Sequence, residues 1–158
     1  MNNKGFTLVE LLATILVLAL VMSIGTFSVL AILKNAKEKN YNLLLNNIKD
    51  ASELYYQECK YANSNNSGIT CNLTKTKLGD LVKYGYLKGN STVKVSNNIK
   101  EKDKYTLVNP INDQNIENCY ISVEYISNKI VVTAAANSNS NCPTSNEYNT
   151  GKMDANRQ

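Results

Sequence analysis

The sequence has no His and no Trp, and its first Pro is Pro110, with only one more in 158 residues. Without His the chain lacks the commonest general base and the commonest metal ligand. It also has no G-x-S-x-G elbow and no phosphate-binding Gly loop, so an enzyme is the least supported class and neither a catalytic residue nor a cofactor is expected. Its four cysteines show no C-x-x-C spacing, which argues against a zinc or redox site. Charge is scarce in one place above all. From Phe6 to Leu33, 28 residues, there is no Lys, Arg or Asp and a single carboxylate, Glu10. That run exceeds the roughly 20 residues a bilayer-spanning helix needs.

What is present is a mildly basic chain, net charge +4 and 43% hydrophobic, whose length suits one compact unit. Outside the apolar run the composition is polar, so a core drawn from the remainder alone is small, and the N-terminal element is expected to lend it an apolar face. A secretory signal peptide has an apolar region of only about 7 to 15 residues, shorter than the run here, and Glu10 interrupts the start. A plain membrane anchor fits the length but gives Gly5 and Glu10 no role.

The stretch Lys4-Gly5-Phe6-Thr7-Leu8-Val9-Glu10, followed by Leu11-Leu12, resembles the cleavage and methylation motif of type IV pilins and type II secretion pseudopilins. Gly5, Phe6 and Glu10 stand at the three positions that mark that family. The resemblance implies cutting between Gly5 and Phe6 by a membrane-embedded prepilin peptidase, loss of a leader of residues 1–5, and methylation of the new amino terminus at Phe6. It implies a pilin-like α+β fold, one long N-terminal helix packed against a small antiparallel β-sheet head. Other pilin subunits, an assembly ATPase and a platform membrane protein are the implied partners. The implied location is the cell membrane, single-pass with an extracytoplasmic head, and then a pilus, a type II secretion-like or a competence pseudopilus.

On a helix rising about 1.5 Å per residue, Glu10 lies about 6 Å along the axis from the Phe6 amine. A charged group at the centre of a membrane helix costs about 2.5 to 3.5 kcal/mol, less near an end, so Glu10 calls for a cationic partner. The resemblance supplies one, the N-terminal amine of a neighbouring subunit. Charge counting does not set the orientation: Lys4 lies before the run, whereas Lys34, Lys37 and Lys39 follow it. The resemblance places the leader in the cytoplasm against that count.

Past Leu33, residues Tyr41, Leu44, Ile48, Ala51 and Tyr55 recur at spacings of three and four, with Leu45 and Leu54 flanking, which predicts a helix from Phe6 to about Cys59. Residues 6–33 form its membrane and polymerisation half and 34–60 its outer half. Gly25 is the one soft point, costing roughly 1 kcal/mol against Ala. The turn-rich segment between Cys59 and Cys71 excludes helix or strand. A short helix is predicted over Thr76 to Tyr84, capped by Thr74 or Thr76, with Leu78, Leu81 and Val82 on its apolar face and Gly85 as its stop. The phrase from Leu78 to Leu87 is also similar to the segment after the long helix in pilin-like proteins of Gram-positive bacteria.

The period then turns from helical to alternating. Ile121, Val123 and Tyr125, a Ser127-Asn128 turn, and Ile130, Val132 and Ala134 predict a hairpin pairing Tyr125 with Ile130, Val123 with Val132 and Ile121 with Ala134. Tyr105 to Val108 is a third strand and Val93 to Val95 a weaker one. Residues 61–136 make the α+β head, and 137–158, rich in Asn and Ser, read as a largely disordered tail. The cysteines allow three pairings; outside the cell, Cys59 with Cys71 and Cys119 with Cys142 are favoured, because each closes a short local segment. Between Lys75 and Lys104 eight lysines stand against Asp80, Glu101 and Asp103. DNA contact is one reading of that stretch, and a solvated charged face the plainer one. The competing function is a membrane-anchored binding module that is never processed.

Overall fold

The structure, a computed structural model, describes residues 5–65, 71–93, 104–135 and 141–155, without the side chains of 24–28, 63–65, 92–93 and 104. It is α+β, with a long N-terminal helix and a small antiparallel sheet. The chain divides into two compact units, Met1–Lys37 and Glu38–Gln158. Helix α1, Leu8–Asn65, contributes to both.

Within the second unit, α1 buries Tyr41, Leu44, Leu45, Ile48, Ala51, Tyr55, Cys59 and Ala62. The expected stripe is therefore the core face, with one exception: Leu54 is exposed. The helix also outruns its expected end near Cys59, because Ala62 continues the buried stripe one turn further and no Pro or Gly intervenes before residue 65. The expectation that everything between Cys59 and Cys71 is non-helical is thus corrected for 60–65.

The sheet that receives this face is β1-β4-β5, antiparallel throughout: β1 is Thr76–Lys77, β4 Tyr120–Ile126 and β5 Lys129–Ala134. Its hairpin has the register read from the sequence, Ile121 opposite Ala134, Val123 opposite Val132 and Tyr125 opposite Ile130. Ser127 and Asn128 both adopt positive φ, 50° and 62°, as a two-residue turn with matching twist requires. Ile121, Val123, Ile130 and Val132 meet α1, and each such large aliphatic group contributes about 1.5 to 3 kcal/mol by leaving water.

Helix α2, Leu78–Lys83, is shorter than expected and is not capped by Thr74 or Thr76. Thr76 lies in β1 opposite Ile121, and the helix's first amides are satisfied instead by backbone, Leu78 N–H donating to the Cys119 carbonyl (3.0 Å) and Gly79 N–H to that of Glu117 (2.9 Å). Leu78 and Leu81 are buried, Val82 is half-buried, and Gly85 stops the helix with φ +83°. The strand expected at 105–108 is present in part, shorter and starting one residue earlier. β3 is Lys104–Thr106 and pairs with β2, Ser91–Val93, in a separate two-stranded sheet, while Val108 forms an isolated bridge with Asn115. Residues 94–95 of the weaker strand lie outside the described residues.

The largest departure is the tail. Helix α3, Ser145–Thr150, starts with a capping box in which the Thr144 hydroxyl accepts from the Glu147 N–H and the Glu147 carboxylate accepts from the Thr144 N–H. Tyr148 and Glu147 are fully buried. Cys119 is bonded to Cys142, and Cys59 to Cys71.

Candidate functional site

Two regions hold the residues singled out by the sequence. The first is the start of α1. Gly5 is exposed, and a Cβ built on it would meet nothing within 4 Å, so the chain's own fold does not require glycine there. Phe6 follows, 79% exposed. Thr7 then caps the helix: its N–H and its hydroxyl both donate to Glu10 Oε2, at 2.9 and 2.8 Å, while its own Oγ1 accepts from Glu10 N–H at 3.3 Å. This is a capping box, and Glu10 in the first turn also suits the positive end of the helix dipole. The family resemblance implies a partner for Glu10 in another subunit, and the structure adds Thr7 within the same chain. The signal was present as Thr7-x-x-Glu10 ahead of an apolar run.

Beyond this cap the side chains from Leu8 to Ser23 and from Val29 to Leu33 are all exposed and mostly apolar, Leu8, Leu20 and Met22 by 81%, 66% and 69%. Among the described residues no helix is long and apolar enough to cross a membrane. The membrane-spanning reading of 6–33 therefore rests on the sequence.

The second region is the head. A 480 Å³ groove is lined by Lys77, Asp80, Lys83, Tyr105 and Glu117 among others. Lys75 and Lys77 lie over the Tyr120 ring, 5.2 and 5.4 Å from its centroid, and Lys83 over Tyr84 at 5.6 Å. The fold thus supplies the aromatic partners that the sequence order hid, yet two carboxylates share the groove, and the field there is mixed rather than that of a polyanion track. Lys94, Lys100 and Lys102 lie outside the described residues. Tyr86, just past the end of α2, donates to Glu58 Oε2 at 2.6 Å. Its phenol is pushed up to about 12, by burial first, then by the hydrogen bond and negative charge of Glu58, and by Tyr55.

Residues 1–26 match the family model described as the prokaryotic N-terminal methylation motif, which is the type IV pilin and pseudopilin signature. No curated protein and no solved structure matches the chain.

Proposed function

We propose that this chain, which carries the N-terminal methylation motif, is a structural subunit of a type IV pilus or of a secretion or competence pseudopilus. The observation that carries the reading is the motif over residues 1–26, with Gly5, Phe6 and Glu10 at its marked positions. In this reading a prepilin peptidase cuts between Gly5 and Phe6, the Phe6 amine is methylated, and residues 6–33 span the membrane before polymerising with other subunits. An assembly ATPase and a platform membrane protein extract and stack them.

The geometry at the helix start supports the assigned cut and the Glu10 contact. A glycine that its own fold does not need is accounted for by an enzyme that must approach the backbone closely. The capping box fixes Glu10 one turn from Phe6 and uses only Oε2, which leaves Oε1 for the cationic amine of a neighbour. That amine exists at Phe6 only after cleavage, so processing licenses assembly. Co-expression with a prepilin peptidase tests this. The precursor is expected to shorten, and Gly5→Leu to remain full length in the membrane fraction. Normal shortening of Gly5→Leu would refute the assigned cut.

A further inference from the structure

The outer edge of β5 is covered only in part. The Tyr120 carbonyl accepts from Ala135 N–H, and the hairpin register then turns the backbone groups of Ile130, Val132 and Ala134 away from β4. Asn149 takes both groups of Val132, and the Ser145 hydroxyl accepts from Ala134 N–H. Ile130 is the residue left over: among the described residues neither its N–H nor its C=O has a partner.

The same edge borders a cleft of 550 Å³ between α1 and the hairpin, and Ile130 is part of its lining. Ligand sites commonly have volumes of this order. Lys49, Glu53 and Gln57, spaced by four on one face of α1, form one wall, and Lys129 and Asn149 stand on the other side. Lys49 Nζ donates to the Asn149 carbonyl at 3.3 Å, which ties the two walls together at that end.

We propose that this cleft binds an extended peptide segment of a partner protein, one residue of which pairs antiparallel with Ile130 and is followed by an acidic residue. Recognition here is strand addition to a sheet edge, shortened to a single residue. Asn149 closes the edge on the Val132 side and the Ser127–Asn128 turn closes it on the other, so the gap is one residue long. An antiparallel pair exchanges both of its hydrogen bonds through one residue of each strand, whereas a parallel strand would need two. A free phosphate or carboxylate could accept from the Ile130 N–H but has nothing to donate to the Ile130 C=O. One step along the edge, the Asn149 carboxamide already supplies a donor and an acceptor together, as the peptide residue would.

Direction then sets the neighbours. The residue after the paired one lies opposite Lys129, which is exposed, and a carboxylate there makes an opposite-charge cross-strand pair. The residue before it meets Asn149, so the partner chain leaves the cleft at that point. The paired side chain lies on the same face of the ladder as Ile130, toward α1, where Lys49, Glu53 and Gln57 favour a polar group such as Thr.

The test titrates isotope-labelled full-length chain in detergent micelles with the probe acetyl-Thr-Glu-amide and follows the backbone amides by NMR. The Ile130 amide proton is expected to move downfield and to move furthest. N-methylation of the probe's Thr amide should weaken binding about three- to ten-fold, the scale of one hydrogen bond. Acetyl-Thr-Gln-amide should bind about two- to five-fold more weakly than the Glu probe, the scale of one exposed ion pair, and Lys129→Glu should abolish that preference. An Ile130 amide unmoved at about 10 mM probe, on the order of ten times a millimolar Kd, would overturn the proposal. Equal binding of the N-methylated probe would overturn it too. Acetate that shifts Ile130 as far as the probe does would show an anion site in place of a peptide site, and equal affinity for the Glu and Gln probes would overturn the acidic preference.

Discussion

The Thr7–Glu10 capping box gives Glu10 a structural task in the isolated chain, and in the proposed filament the same carboxylate would also serve the intersubunit contact. Thr7→Ala should cost about 1 kcal/mol at the helix start. Amide exchange at Val9 to Leu11 in detergent micelles should accelerate accordingly, and unchanged exchange would show that the cap contributes nothing. A second residue-scale case is Tyr86. Its phenol is raised from 10.0 to about 12, so the folded state favours the neutral form. The resulting stabilisation is complete below about pH 10 and is lost as pH rises through about 12. Absorbance titration, with Tyr86→Phe to identify the group, should place this phenol after an ordinary tyrosine, and Glu58→Gln should bring it down. A Tyr86 that titrates normally in the parent chain would contradict the assignment.

Asn149 works at the boundary between residue and element. Its amide donates to the Val132 carbonyl at 2.9 Å and accepts from the Val132 N–H at 3.1 Å, taking the place of a neighbouring strand along the edge of β5. Ser145 does the same for the Ala134 N–H at 2.8 Å, so α3 covers an edge that would otherwise invite pairing with another chain. The rest of the segment docks on α1 through Met153 N–H to Asn42 (2.8 Å), Tyr41 to Glu147 (3.1 Å) and Gly151 (φ +65°), whose missing Cβ makes room for Asn46. Asn149→Ala should therefore cost on the order of 1 to 3 kcal/mol in thermal unfolding, the price of leaving buried-edge groups unpaired. A change within a few tenths would contradict the edge-covering role. Composition concealed this element, because Asn and Ser read as disorder when counted. Read by position, Thr144-x-x-Glu147 and Gly151 are a start and a stop with six residues between them, the same kind of signal as Thr7-x-x-Glu10. The hairpin was legible for the opposite reason. Its alternation, its turn and its register all have to agree, and a slip of one residue would turn Val123 and Val132 to solvent. The two-stranded β2-β3 sheet and the backbone capping of α2 were not legible, since both depend on partners distant in sequence that leave no local pattern.

At the scale of the whole molecule, the core is built on the outer half of α1, as expected of a polar chain with one apolar element to share. The two disulfides reinforce it, and removing Cys59 and Cys71 together should cost about 3 kcal/mol, read as a lower unfolding midpoint. The described side chains of the first unit from Leu8 to Ser23 and from Val29 to Leu33 are exposed and mostly apolar, which suits the setting in lipid or in a filament proposed above. Glu10→Leu should leave insertion and cleavage intact while reducing filament yield at least several-fold; wild-type yield would remove the proposed pairing with the Phe6 amine. The proposed assembly requires a new amino terminus at Phe6. Intact-mass and peptide mass spectrometry of the protein from peptidase-positive cells measures that directly. The account predicts a mature chain that begins at Phe6, lacks residues 1–5 and carries a methyl group on its terminal amine. A mature chain that still begins at Met1 would contradict it.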